Sequence, residues 1–117
     1  MSKKTGCVDS LLYHIVWCTK DREAVLTASV AELLRSLLEK KARELDLRIE
    51  ILNMDPDCVD ITIGAPAHLA PQEIAEELRK YTSRCLRIRW SRTYFLSTVG
   101  RVDCETTRWS LNLAKWN

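Results

Sequence analysis

The amino-acid sequence predicts an α+β fold in which an antiparallel sheet carries its helices on one face. Three observations lead to it. Four short runs rich in β-branched and aromatic residues punctuate the chain, amphipathic helical stretches follow the first and the third of them, and only a two-residue turn signal separates the second from the third. The resulting order, β-α-β-β-α-β, is a ferredoxin-like split β-α-β arrangement, to which the sequence adds one more helix at the C-terminus.

The first run, SLLYHIVWCTK at residues 10–20, is too short for a buried helix and reads as a mostly buried strand. In TASVAELLRSLLEKKARELD, residues 27–46, Ser29 and Glu32 stand in capping-box relation, and Val30, Leu33, Leu34, Leu37, Leu38 and Leu45 recur at helical spacing. LRIEILNM (47–54) and DCVDITIGA (57–65) flank the Asp55-Pro56 turn signal and predict a hairpin. Pro71 suits the first turn of a second helix, whose Ile74, Leu78, Tyr81, Cys85 and Ile88 step along one apolar face. RTYFLSTVG (92–100) is the fourth strand, and Asp103 is a reasonable N-cap for a terminal helix through CETTRWSLNLAKWN. The expected organisation is one domain over residues 1–117, with a tail at 1–9, the core at 10–100 and the extra helix at 101–117.

At 117 residues the chain can bury about two-thirds of its unfolded surface, enough for a core without cross-links. No apolar run approaches the ~20 residues of a membrane span, and MSKKTGCVDS has no apolar stretch behind its basic residues, so a cytoplasmic protein without membrane contact is expected. Five scattered cysteines with no CxxC pair fit reduced thiols in that compartment.

Two places could carry chemistry. Alternation in the third strand puts Cys58, Asp60 and Thr62 on one face and Val59, Ile61 and Ile63 on the other, with the polar set expected on the side away from the helices. Asp60 could simply be solvated there. A thiol and one carboxylate are a poor set for Mg²⁺ or Mn²⁺, which prefer oxygen and imidazole, so no tight metal site is expected. The second place is residues 78–102, which hold no Asp or Glu but contain Arg79, Lys80, Arg84, Arg87, Arg89, Arg92 and Arg101, with Trp90 and Tyr94 close by. Cations and aromatic planes together suit phosphate contacts and base stacking, which makes Lys80, Arg84, Arg87, Arg89, Trp90 and Arg92 candidate nucleic-acid contacts. The alternative is a solvated helix face paired with acidic groups elsewhere in the fold.

YHIVWCTKDREAVL, DPDCVDITIGAP and RTYFLSTVG together resemble the single-tyrosine HUH transposases of small bacterial insertion sequences, including those associated with repetitive extragenic palindromes. The resemblance covers about residues 10 to 112. It implies an obligate homodimer on a ferredoxin-like fold that recognises DNA hairpins and cuts single-stranded DNA. It also implies a His-hydrophobic-His pair that holds a divalent metal, Mg or Mn, and a tyrosine on the last helix that becomes linked to the 5′ end. At the positions of the pair this chain has Cys58-Val59-Asp60, and at the tyrosine it has Ser110, or Trp109 if the register slips by one.

A phosphodiester attacked by a hydroxyl needs a cation at the phosphate and an activated nucleophile, and neither is recognisable here. His14, on the first strand, is expected to play a structural or DNA-facing role, and His68 to be an exposed loop residue. The leading expectation is therefore a catalytically inactive, dimeric transposase-fold protein that binds single-stranded or hairpin DNA, or RNA, without a cofactor. Alternatives are an active nuclease or transposase working from Cys58, Asp60 and Ser110, and a ferredoxin-like module for protein interaction.

Overall fold

The computed structural model describes residues 10–102. Strand β1 (Ser10–Thr19) passes through a 3-10 turn (Lys20–Arg22) and a short extended segment into helix α1 (Ala28–Glu44); β2 (Arg48–Asp55), β3 (Cys58–Pro66), α2 (Pro71–Leu86) and β4 (Trp90–Val102) follow. The four strands form one antiparallel sheet in the order β2-β3-β1-β4, so the two strands that precede the helices lie in the middle and the ferredoxin-like arrangement is realised. The tail at 1–9 and the predicted terminal helix, with Trp109 and Ser110, lie outside the described residues.

Alternation sorts the central strands into two faces. Ile15 and Trp17 of β1 and Val59, Ile61 and Ile63 of β3 are at most 1% exposed and meet Leu34 and Leu38 of α1 and Ile74 and Leu78 of α2. Each such side chain contributes about 1.5–3 kcal/mol by leaving water, so this layer drives folding. Residues Pro56 and Asp57 make the β2–β3 turn; Asp57 carbonyl oxygen accepts from Thr19 N–H at 2.8 Å, and Pro56 carbonyl oxygen from Leu26 N–H at 2.9 Å. The hairpin tip thus satisfies the backbone of the β1–α1 connection, and the Arg22–Asp57 ion pair at 2.8 Å lies beside it.

Helix α1 begins earlier than its sequence suggests. Thr27, in extended conformation, is the N-cap, and its Oγ1 accepts from Val30 N–H at 3.4 Å, so the cap is Thr27 rather than Ser29. The buried stripe is Leu34, Leu38 and Ala42 at steps of four; Leu33, about 100° further round the helix, is 57% exposed.

Helix α2 starts at Pro71, with Glu73 Oε1 accepting from Ala70 N–H at 3.4 Å. Its inward face runs Ile74, Leu78, Thr82, while Cys85 is exposed, which corrects the expectation of a cysteine in the core. Thr82 is tolerated at 0% exposure because its hydroxyl donates to Leu78 carbonyl oxygen at 2.7 Å and accepts from Trp90 Nε1–H at 3.1 Å. The helix ends at Arg87, a left-handed C-cap with φ 56° and ψ 39°, and Ser83 Oγ donates across the turn to Ile88 carbonyl oxygen at 2.6 Å. Among the described residues four non-glycine positions adopt positive φ, Asp21, Arg22, Asp46 and Arg87, and no glycine does.

Pairing of β1 with β4 slips twice, between Leu12 and Tyr13 and between Trp17 and Thr19. Beside the second slip lies a cavity of about 470 Å³, lined in part by Cys18, Asp21, Arg22, Thr93 and Phe95. No helix of the described residues is long and apolar enough to cross a membrane.

Candidate functional site

The uncovered face of the sheet holds the third-strand residues singled out by sequence. Cys58 and Asp60 project there half-buried, as alternation requires, while Val59 between them is sealed in the core. Both are already engaged. Cys58 stands directly opposite Cys18 of β1, with Cα atoms 4.0 Å apart, and the two are joined as a disulfide. The expectation of reduced thiols is thereby corrected for this pair; Cys85 is a free thiol, and Cys7 and Cys104 lie outside the described residues. Asp60 Oδ1 accepts a 2.7 Å hydrogen bond from His14 Nε2, one strand over, and the Phe95 ring meets the imidazole edge-on with centroids 5.8 Å apart.

The fit of a hard divalent cation to this place can be tested on its donors. A disulfide sulfur is no ligand for Mg²⁺ or Mn²⁺, and one Asp60 oxygen is held by His14, which leaves less than a site. No group of three or more His, Cys, Asp or Glu able to hold a metal occurs among the described residues. The positions do not fit the cation that the family resemblance implies, and no catalytic step can be derived through it. His68 is exposed in the loop ahead of α2. Ser110 lies outside the described residues.

The basic stretch occupies a different part of the molecule. Lys80 and Arg84 on α2, Arg87 and Arg89 in the turn after it and Arg92 near the start of β4 are all exposed, and none forms an ion pair among the described residues. Arg92 stands two residues from both Trp90 and Tyr94, which pack on the helix layer, so strand periodicity puts it on their side of the sheet and the cations follow α2 and the edge strand, while Cys58 and Asp60 face the other side. The structure does not bring the two sets together.

Two residues of this stretch are spent on packing. Trp90 lies edge-on to Trp17, centroids 5.8 Å apart, with its indole N–H on Thr82, so its ring is engaged in the core rather than offered as a stacking platform. Arg79, which is not among the candidate contacts, ties α2 to β4: its guanidinium lies over the Tyr94 ring at 4.9 Å and its Nη2 donates to Ser91 carbonyl oxygen. Burial pulls the Arg79 guanidinium below its ordinary value, opposed by Tyr94 and Glu76. In the sequence Arg79 is one cation among several, and only the packing of α2 on β4 sets it apart from the exposed ones. A cavity of about 330 Å³ between Arg79, Lys80, Ser83, Glu76 and Trp90 opens onto the basic stripe.

Comparison with known proteins places this arrangement. The family described as IS200-like transposases matches residues 7–109. The ISDra2 transposase TnpA of Deinococcus radiodurans is 31% identical over 84 residues, which are 72% of this chain and 60% of that protein. A candidate transposase from Deinococcus radiodurans R1, solved by crystallography, superposes with a TM-score of 0.75 at 26% identity, over 95% of this chain and 92% of the other. The REP-associated tyrosine transposase, solved bound to a REP hairpin, has a TM-score of 0.65 at 13% identity, over 92% and 66% of the two chains, and shares the fold.

Proposed function

The chain belongs to the IS200-like transposase family, and we propose that within it this protein binds single-stranded or hairpin DNA without cutting it. The observation that carries the reading is the run of exposed cations from Lys80 to Arg92, in a segment with no carboxylate and no ion pair among the described residues. Phosphates are the natural counter-charge for such a surface, and contacts of this kind position a nucleic acid without reading its sequence. The structural neighbour solved with a REP hairpin makes a hairpin the first ligand to try. The loss of cleavage rests on the donors at the family's metal positions, Cys58 in a disulfide and Asp60 held by His14, and on serine at 110 in place of a tyrosine. The bound nucleic acid can be DNA or RNA on this chemistry alone. The reading takes residues 1–117 as one cytoplasmic domain.

The test is a hairpin carrying a single-stranded flank, incubated with the protein and Mn²⁺ and scored for both retention and cleavage. Retention that weakens steeply with salt and yields no nicked product or covalent adduct is the expected result. Cleavage lost on Ser110→Ala would establish an active enzyme with a substituted site. Absence of retention at low salt would leave the cationic surface to an acidic protein partner.

The protein is further inferred to act as a homodimer. β4 is an edge strand of 13 residues with Phe95 55% and Val99 36% exposed, a long unpaired edge of the kind that soluble monomers blunt. Light scattering at micromolar concentration should give twice the 13.5 kDa chain mass, and a value at the chain mass would rule this assembly out.

A further inference from the structure

We propose that the 470 Å³ cavity beside the β1–β4 slip seats one unpaired nucleotide of a bound single strand, with its base against Phe95 and its phosphate at Arg22. The inference rests on the nucleic-acid reading above and adds to it a second contact surface. Val16 of β1 stands directly opposite Phe95 of β4, and both line the cavity on the sheet face away from the helices. Phe95 is 55% exposed, and His14 packs against its ring in T-shaped geometry with centroids 5.8 Å apart, which steadies it. A steadied, half-open aromatic plane is what a base stacks on. Arg22 Nε donates to Asp57 Oδ2 at 2.8 Å, a bond that orients the guanidinium while its terminal nitrogens retain their donors for phosphate oxygens. Asp21, an acceptor only when ionised, suits a base with an exocyclic amino group and disfavours the carbonyl that thymine carries in its place.

The cavity lies where the cationic run ends. Lys20 N–H donates to Arg89 carbonyl oxygen at 2.9 Å, so the 3-10 turn that carries Lys20 and Arg22 abuts the turn that carries Arg87 and Arg89. Lys20, Arg22, Arg87 and Arg89 are all exposed, and a strand held by its phosphates along α2 therefore has cations beneath it as far as the cavity mouth. The backbone at that mouth is unusual as well. Asp21 and Arg22, with φ of 57° and 55°, are consecutive non-glycine residues in the left-handed region, and such conformations concentrate at binding sites. A volume of this size is also within the range of small-ligand pockets, with an apolar wall and a few polar groups at its edge.

The experiment measures fluorescence anisotropy of three ligands with the full-length protein: a blunt DNA hairpin, and the same hairpin with a single-stranded flank of cytosines or of thymines. The parent should bind the cytosine flank about fivefold more tightly than the thymine flank. Phe95→Ala should lower affinity for both flanked hairpins about tenfold and leave the blunt hairpin unchanged. Asp21→Asn should erase the preference for cytosine, because an amide can both donate and accept, and asparagine tolerates the left-handed conformation as well as aspartate does. This second variant leaves the edge strand intact, so a Phe95→Ala chain that folds or assembles poorly does not decide the matter. A parent that binds the flanked hairpins while both variants keep its affinities and its preference would overturn the site and spare the nucleic-acid reading. A Phe95→Ala loss that falls equally on the blunt hairpin, with the cytosine preference kept in Asp21→Asn, would overturn it too. No binding of any of the three ligands by the parent at low salt would overturn both.

Discussion

Replacing Lys80, Arg84 and Arg87 together by alanine should lower affinity for a hairpin with a single-stranded flank by more than about tenfold at moderate salt, and should flatten the plot of log affinity against log salt by about two units. The slope is the more telling readout, because each phosphate contact releases its own share of condensed counterions, about 0.7 per contact on a single strand, whatever the base sequence. All three side chains are exposed and none is in an ion pair among the described residues, so stability should stay within about 0.5 kcal/mol of the parent. Arg79 is left out of the set deliberately: its removal would uncouple α2 from Ser91 and Tyr94 and confuse binding with packing. A triple variant that binds with the parental slope would show that the nucleic acid lies elsewhere.

The second large effect is on folding. Trp17→Ala should cost about 3–5 kcal/mol, a large part of the 5–15 kcal/mol that holds a domain of this size together. Trp17 is 1% exposed at the centre of the sheet, and its loss would also strip Trp90 of its aromatic partner. Trp17→Phe should behave quite differently. The Trp17 indole N–H is buried with no hydrogen-bond partner among the described residues, a condition that costs about 1–3 kcal/mol. Phenylalanine removes that donor while keeping most of the apolar volume, so the net loss should be under about 1.5 kcal/mol. Denaturant midpoints of the two variants decide the matter, and equal losses would mean that the N–H is satisfied after all.

The strand order and both helices were legible in the sequence because local signals and tertiary packing agree there. β-branched runs, the Asp55-Pro56 signal and Pro71 each mark an element that the fold keeps. Periodicity misleads where an apolar residue sits at the margin of a helical stripe. Leu33 and Cys85 fit the spacing yet face water, and Thr82, polar by type, takes the inward place because two hydrogen bonds satisfy it. The candidate site was legible by parts. Cys58 and Asp60 were found from alternation, but their partners were not, because Cys18 and His14 lie 40 and 46 residues away and only the β1–β3 register brings them close. Trp90 shows the same limit from the other side, since an aromatic among arginines reads as a stacking surface until a second tryptophan is found beneath it.

Arg87 sets stability and charge against each other. It occupies the left-handed turn that ends α2, where glycine is at ease and a residue with a β-carbon costs about 1 kcal/mol or more. Arg87→Gly is therefore the kind of change that a screen for heat tolerance would reward, and it would delete one of the exposed cations in the same stroke. Selection on melting temperature alone would erode the surface that selection on ligand capture would keep. An engineered thermostable version should accordingly be sought in α1 and at Leu33, on the far side of the trade-off, with the α2 terminus left as it is.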